Sequence, residues 1–269
     1  MSAAMQAMLN PELLRFLAPV FGAAVGSFLN VVIWRLPRDE SLSRPGSHCP
    51  SCGAPIRWRD NIPILSWLML RGRCRSCRGR ISVRYPLIEL LTALLCLGLF
   101  CRFGPSLSFV AYFAFAAGLL AASAIDLEHR IIPDEISLGG VGLGLAVSWI
   151  PQATVRPFDS LIAAAVGFLA IFLVITGYWL LTRREGMGLG DAKLLAAIGA
   201  FLGWRAIPFV LFAGSLAGVM GGLAMILLRK QGRFYKIPFG PFLSLGAGLW
   251  LFLLPEFKHS ILVIPGFGG

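Results

Sequence analysis

Apolar residues cluster in eight long stretches, at residues 13–34, 86–101, 107–125, 136–150, 158–181, 191–204, 206–228 and 238–254. A helix needs roughly 17 to 25 apolar residues to cross hydrocarbon about 30 Å thick. The pattern therefore predicts an all-α polytopic membrane protein with about eight transmembrane helices. The fourth and sixth stretches are short and glycine-rich, which fits segments that are tilted, broken or buried among other helices. The first has no short apolar core followed by a small-residue cleavage site, so it reads as a retained helix and not as a removed signal peptide.

One sizeable polar region interrupts the pattern, from Arg35 to Arg84. The chain accordingly divides into a first transmembrane helix (1–34), a polar loop domain (35–85) and a membrane-embedded core (86–269). Gly22-x3-Gly26 and Gly214-x3-Gly218-x3-Gly222 each place small residues on one helix face, where neighbouring backbones can approach closely.

Composition agrees with the pattern. The chain of 269 residues is 57% hydrophobic and 14% charged, against about 25% charged in soluble domains. A net charge of +11 would point to nucleic acid in a soluble protein, but the positions of the charges exclude that partner. With the N-terminus outside, the loops near 35–85, 126–135, 182–193 and 229–237 are cytoplasmic. They hold all but Arg15, Arg102, Arg156, Arg205 and Lys258 of the 24 Lys and Arg residues. That asymmetry is the positive-inside rule.

Within the first loop, Cys49-Pro-Ser-Cys52 and Cys74-Arg-Ser-Cys77 are two C-x2-C pairs separated by 21 residues, close to zinc-ribbon spacing. Two intervening residues let both thiolates of a pair reach one ion, and four sulfurs complete the tetrahedral shell of structural Zn²⁺. Arg71, Arg73, Arg75 and Arg78 favour thiolate over thiol. Disulfides would need an oxidising compartment, which the arginine-rich loop argues against. A redox C-x2-C would need a thioredoxin-like βαβ context, which is lacking. Cys96 and Cys101 have no such spacing and read as small apolar fillers.

Only 13 residues are acidic, so carboxylates at or within apolar stretches are informative. Asp126, Asp191 and Glu89 stand out. Asp126 follows the third stretch and Asp191 opens the sixth, which puts both at the cytoplasmic ends of their helices and lets them meet. Two carboxyls about 3 Å apart cannot both ionise and share one proton. One can then take a proton from water while the other donates to a scissile carbonyl, the division of labour in aspartic proteolysis. Gly188 and Gly190, lacking Cβ atoms, let a substrate strand lie close to the backbone. Glu89, near the start of the second stretch, complements the helix N-terminus or binds substrate or metal-loop groups. Glu128, His129, Arg130 and Asp134 read as a solvated turn ended by Pro133.

Taken in order, Gly26-Ser-Phe-Leu-Asn-Val-Val-Ile-Trp-Arg-Leu-Pro37, the two cysteine pairs around Asn61-Ile-Pro-Ile-Leu-Ser-Trp67, Arg84-Tyr-Pro-Leu-Ile-Glu-Leu90, Ile125-Asp126 and Gly188-Leu-Gly-Asp191 resemble the type IV prepilin peptidases. These are bacterial membrane-embedded GxGD aspartic proteases. The resemblance covers nearly the whole chain. It implies a bacterial inner-membrane enzyme that cuts prepilins and pseudopilins after a glycine, at the end of a short basic leader, and serves pilus assembly or type II secretion. It maps the family aspartates onto Asp126 and Asp191. The four-cysteine loop resembles the bifunctional subgroup, which implies methylation of the new N-terminus from S-adenosylmethionine. The residues themselves do not place that donor: no G-x-G-x-x-G follows a strand, and Gly140-Val-Gly-Leu-Gly144 lies in an apolar stretch where packing explains it. The first cytoplasmic loop is the expected location.

Two other classes compete. An ion-coupled transporter would spread polar residues near the bilayer midplane and often shows an internal repeat. Here the acids lie at one edge and no repeat is visible. A non-catalytic scaffold, recruiting partners through the zinc loop, would tolerate loss of either aspartate.

Overall fold

The computed structural model describes residues 11–150, 153–184, 187–229 and 238–257. Gly186, Lys258 and most of the basic loop at 229–237 lie outside these residues. The described residues are helical, joined by loops with two isolated β-bridges and no strands. The helices are α1 (Pro11–Arg35), α2 (Leu65–Met69), α3 (Arg84–Phe103), α4 (Leu107–His129), α5 (Asp134–Val147), α6 (Pro157–Thr182), α7 (Leu189–Leu202), α8 (Ala206–Arg229) and α9 (Gly240–Phe257).

Every apolar stretch is a helix, with ends within a few residues of those read from sequence. Five spans, lying in α1, α3, α4, α6 and α8, are long and apolar enough to cross a membrane, and α9 is a shorter apolar helix. This is a multi-pass membrane protein. At 14 residues each, α5 and α7 reach only about 21 Å, short of the hydrocarbon thickness. For α7 the reason is burial: eleven of its fourteen residues are buried, so protein and not lipid is its surroundings.

The chain forms two compact units, one up to Ala121 and one from Ala122 onward. In the first, α1 packs along α3. A Cβ on Gly22 would meet Ala93 Cα at 2.8 Å, and one on Gly26 would meet Glu89 Cα at 2.7 Å, so the seam admits only glycine there. Asn30, in α1, donates from Nδ2 to the Tyr85 carbonyl at 3.1 Å and holds the start of α3. Phe100 and Phe109 meet edge to face, and Phe103 stacks on Tyr112. Cys96 is fully buried. Cys101 is exposed, so the filler reading fits only the first of the two.

In the second unit α7 is flanked by α5, α6, α8 and α9. Gly167 of α6 faces the Leu195 carbonyl of α7, where a Cβ would lie 2.5 Å away. Ser160 donates to the Ala200 carbonyl at 2.8 Å across the same pair. Gly140 and Gly144 of α5 rest on Ala197 and Ala200, so packing accounts for these two, while Gly142 faces no described atom within 4 Å. Gly214 and Gly218 of α8 take Phe242 of α9.

Candidate active site

Asp126 lies in the last turn of α4 and Asp191 in the first turn of α7. Both are buried, at 5% and 8% exposure. The helix α4 runs four residues past the apolar stretch because Leu127, Glu128 and His129 continue its backbone pattern, so Asp126 sits inside the helix and not after it. Ile132 lies against the Cβ positions of both Gly190, next to Asp191, and Gly240, whose N–H bonds Asp126, so the fold brings two acids 65 positions apart in sequence to one region.

Each aspartate sits at a helix start or meets one. Asp191 is the third helical residue after the N-cap Gly188, and its own N–H returns to the Gly188 carbonyl at 3.2 Å. Asp126 Oδ2 accepts the Gly240 N–H, at the start of α9, at 3.0 Å.

Ile132, in the link between α4 and α5, lies against this site. A Cβ on Gly190 would meet Ile132 Cβ at 3.1 Å, and one on Gly240 would meet Ile132 Cδ1 at 3.0 Å. The open side of Gly190 is thus taken by Ile132, whereas among the described residues the nearest atom to the Cβ position of Gly188 is the Gly190 nitrogen, at 3.9 Å. The link is solvated, as read from sequence, with Glu128, Arg130 and Asp134 exposed, but parts of it belong to helices. Glu128 and His129 belong to α4, Pro133 caps α5, and Asp134 opens α5 and accepts Lys193 Nζ at 2.6 Å. That ion pair ties the link to α7, two residues beyond Asp191.

In the first unit the four cysteines converge. The sulfurs of Cys49, Cys52, Cys74 and Cys77 all lie within 4.8 Å of one another. Cys49 Sγ and Cys77 Sγ are 3.9 Å apart, near the roughly 3.8 Å that a tetrahedral site with about 2.3 Å metal–sulfur bonds requires. Each pair sits on the same turn: the residue four past the first cysteine, Gly53 or Arg78, has positive φ. Its N–H returns to the carbonyl of Cys49 or Cys74. Burial opposes the Cys49 thiolate, but the N–H groups of Ser51 and Cys52 and the neighbouring thiols outweigh it and bring its pKa down to about 6. The donor set fits one thiophilic ion. Arg75 grips Asp60 with both carboxylate oxygens, at 2.6 to 3.0 Å, and holds its carboxyl below the ordinary range.

Glu89 is buried in α3. Its Oε2 accepts the N–H of Ile64, in the cysteine loop, at 2.7 Å, and its backbone lies against Gly26 of α1. Of the alternatives open from sequence, the geometry gives it a loop group to hold.

The chain matches the model of the bacterial peptidase A24 N-terminal domain over residues 20–103 and that of the type IV leader peptidase family over residues 113–223. A prepilin leader peptidase/N-methyltransferase of Aeromonas salmonicida (strain A449) is 40% identical over 264 residues, covering 87% of this chain and 88% of its own length. This chain belongs to the type IV leader peptidase family. A family member of the same name from Pseudomonas putida is 37% identical over 285 residues, covering 96% of this chain and 97% of its own. The type 4 prepilin-like proteins leader peptide-processing enzyme of Escherichia coli O78:H11 (strain H10407 / ETEC) is 40% identical over 261 residues, covering 90% and 95%. No solved structure matches the chain.

The family matches span Asp126, Asp191, Glu89 and the four cysteines, but Gly240 lies beyond both. Sequence reasoning missed Gly240 and Ile132. The one available signal for Gly240 was its place before Pro241 at the start of an apolar stretch. Ile132 carried none.

Proposed function

We propose that this chain is a membrane aspartic endopeptidase that removes the basic leader from type IV prepilins and pseudopilins after a glycine, with Asp126 and Asp191 as its dyad. What supports this is the burial of both carboxylates at the ends of α4 and α7 around Ile132, in a chain with few acids to spare. Transporter and scaffold readings give no reason for such a pair.

The dyad holds one proton between its two carboxyls. The ionised member takes a proton from a water molecule, whose oxygen attacks the scissile carbonyl carbon, while the protonated member donates to the carbonyl oxygen. When the tetrahedral intermediate collapses, the C–N bond breaks and the leaving amine takes a proton from the dyad. Gly188, with no close contact at its Cβ position among the described residues, is the residue along which a substrate strand can lie, and Gly190 supports it through Ile132. The positive-inside rule puts the substrate's basic leader on the cytoplasmic side of the inner membrane, at the edge where we place the dyad. Membrane lipids surround the helices, and pilus or secretion machinery is the expected onward partner.

Cys49, Cys52, Cys74 and Cys77 hold Zn²⁺, which keeps a loop with little apolar core folded. Glu89 anchors that loop to α1 and α3 and does not touch the scissile bond.

The relatives' names extend the reading to N-methylation of the new N-terminus with S-adenosylmethionine. The residues do not mark where this donor would sit. An open hollow of about 380 Å³ beside the first cysteine pair, lined by Pro45, Gly46, Ser47, His48, Gly53 and Pro55, has no carboxylate to take ribose hydroxyls.

The test is a cleavage assay with purified protein in detergent, on a glycine-ended basic leader fused to an apolar helix. Mass spectrometry should show a single cut after the glycine. An intact substrate, with folded enzyme, would refute the assignment.

A further inference from the structure

The start of α9 has few backbone donors to give. Phe239 caps the helix, and its carbonyl accepts the N–H groups of both Phe242 and Leu243, at 3.0 and 3.1 Å. Pro241 has no N–H. Of the four N–H groups that a helix start leaves without an intrahelical partner, the one at Gly240 is directed at a side chain, and that side chain is Asp126. The bond joins residues 114 apart in the chain and is buried. The same residue has no side chain for a steric reason: a Cβ would lie 2.8 Å from Asp126 Oδ2, 3.4 Å from its Cγ and 3.0 Å from Ile132 Cδ1.

We infer that Gly240 is a positioning residue for proteolysis: its N–H fixes Oδ2 of Asp126, and its missing side chain leaves the carboxyl room to be fixed there. Oδ1 is then the oxygen presented to water and to the Asp191 carboxyl. A carboxyl on a helix end can rotate about two side-chain torsions. The Gly240 N–H selects one orientation before substrate arrives, so the effect belongs to the chemical step and not to binding. The inference rests on Asp126 being a member of the dyad.

The direct test replaces the amide preceding Gly240 by an ester, incorporating glycolic acid at position 240 by cell-free translation into lipid discs. This deletes the N–H and adds no atom. The ester protein should stay folded, with its melting temperature close to that of the parent and KM within about twofold, while kcat falls about ten- to a hundredfold, as expected for losing a hydrogen bond to a carboxylate. Gly240→Ala, which displaces the carboxyl, should lose about a hundredfold or more in kcat. Gly246→Ala serves as the control for packing: its Cβ would meet the Val210 carbonyl at 2.8 Å, far along α9 from the dyad. It should lower the melting temperature and leave kcat unchanged.

The inference is overturned if the ester protein keeps kcat within twofold, if its loss lies in KM, if it fails to fold, or if Gly246→Ala lowers kcat as much. Asp126→Asn run alongside separates the two readings. An active Asp126→Asn protein defeats the dyad itself, whereas an inactive one beside a fully active ester protein defeats only the role of Gly240.

Discussion

Glu89→Ala should release the cysteine loop from the helices without unfolding either. Ile64 has φ 62° and ψ −52°, and the Leu65 N–H reaches the Pro63 carbonyl at 2.6 Å across it. This is a γ-turn of the rare positive-φ kind, on a β-branched residue that seldom enters that region. Holding a residue in such a sparsely populated region costs about 1–3 kcal/mol. The restraint in view is the Ile64 N–H bond to Glu89 Oε2 at 2.7 Å. Such a bond to a carboxylate contributes about 2 kcal/mol, comparable to the strain it opposes. Removing it should let the turn relax and speed amide exchange at Ile64 and Leu65 about 30-fold, at 1.4 kcal/mol per tenfold. Hydrogen exchange with mass spectrometry on peptides spanning 61–70 reads this directly, with α1 and α3 peptides as internal controls. Adding Ile64→Gly should recover part of the protection, because glycine accepts positive φ freely. Exchange within twofold of the parent, or equal loss in α1 and α3, would refute the restraint.

Metal analysis should find about one zinc per chain, and Cys→Ser at any of the four cysteines should abolish it; stoichiometric disulfides in protein kept reducing would contradict this. Gly167→Ala forces α6 away from the Leu195 backbone of α7 and should cost about 1–3 kcal/mol, seen as a lower melting temperature. An unchanged melt would mean the helices separate freely. Gly190→Val should cut cleavage about tenfold or more by driving Ile132 off the site, and Ile132→Gly in the same chain should restore part of it. If Ile132→Gly restores nothing, the space beside Gly190 is needed by substrate.

The helices were legible because lipid leaves a long apolar stretch few other structures. The cysteine pairs were legible because tetrahedral sulfur coordination fixes their spacing. Asp126 and Asp191 stand out in the sequence because acids are costly in a membrane, and the fold buries both. Spacing does not reveal what a backbone N–H reaches across 114 positions, so Gly240 stayed hidden. Gly190 was legible as a close-approach glycine, but its neighbour was not: the approaching group is Ile132 of the same chain. Likewise Asp134 is exposed, as its sequence context suggested, but its surface ion pair with Lys193 of α7 could not be read from spacing.

The most direct measurement of the central claim is the initial rate of leader cleavage by purified Asp126→Asn and Asp191→Asn proteins, each shown by its melt to be folded. Asparagine keeps the shape of the carboxyl and removes its ability to exchange a proton. Each substitution alone should lower kcat by about 10²- to 10⁴-fold, with substrate binding retained. A folded variant of either kind that cuts within about tenfold of the parent rate would contradict the dyad, since that is less than general acid–base catalysis supplies.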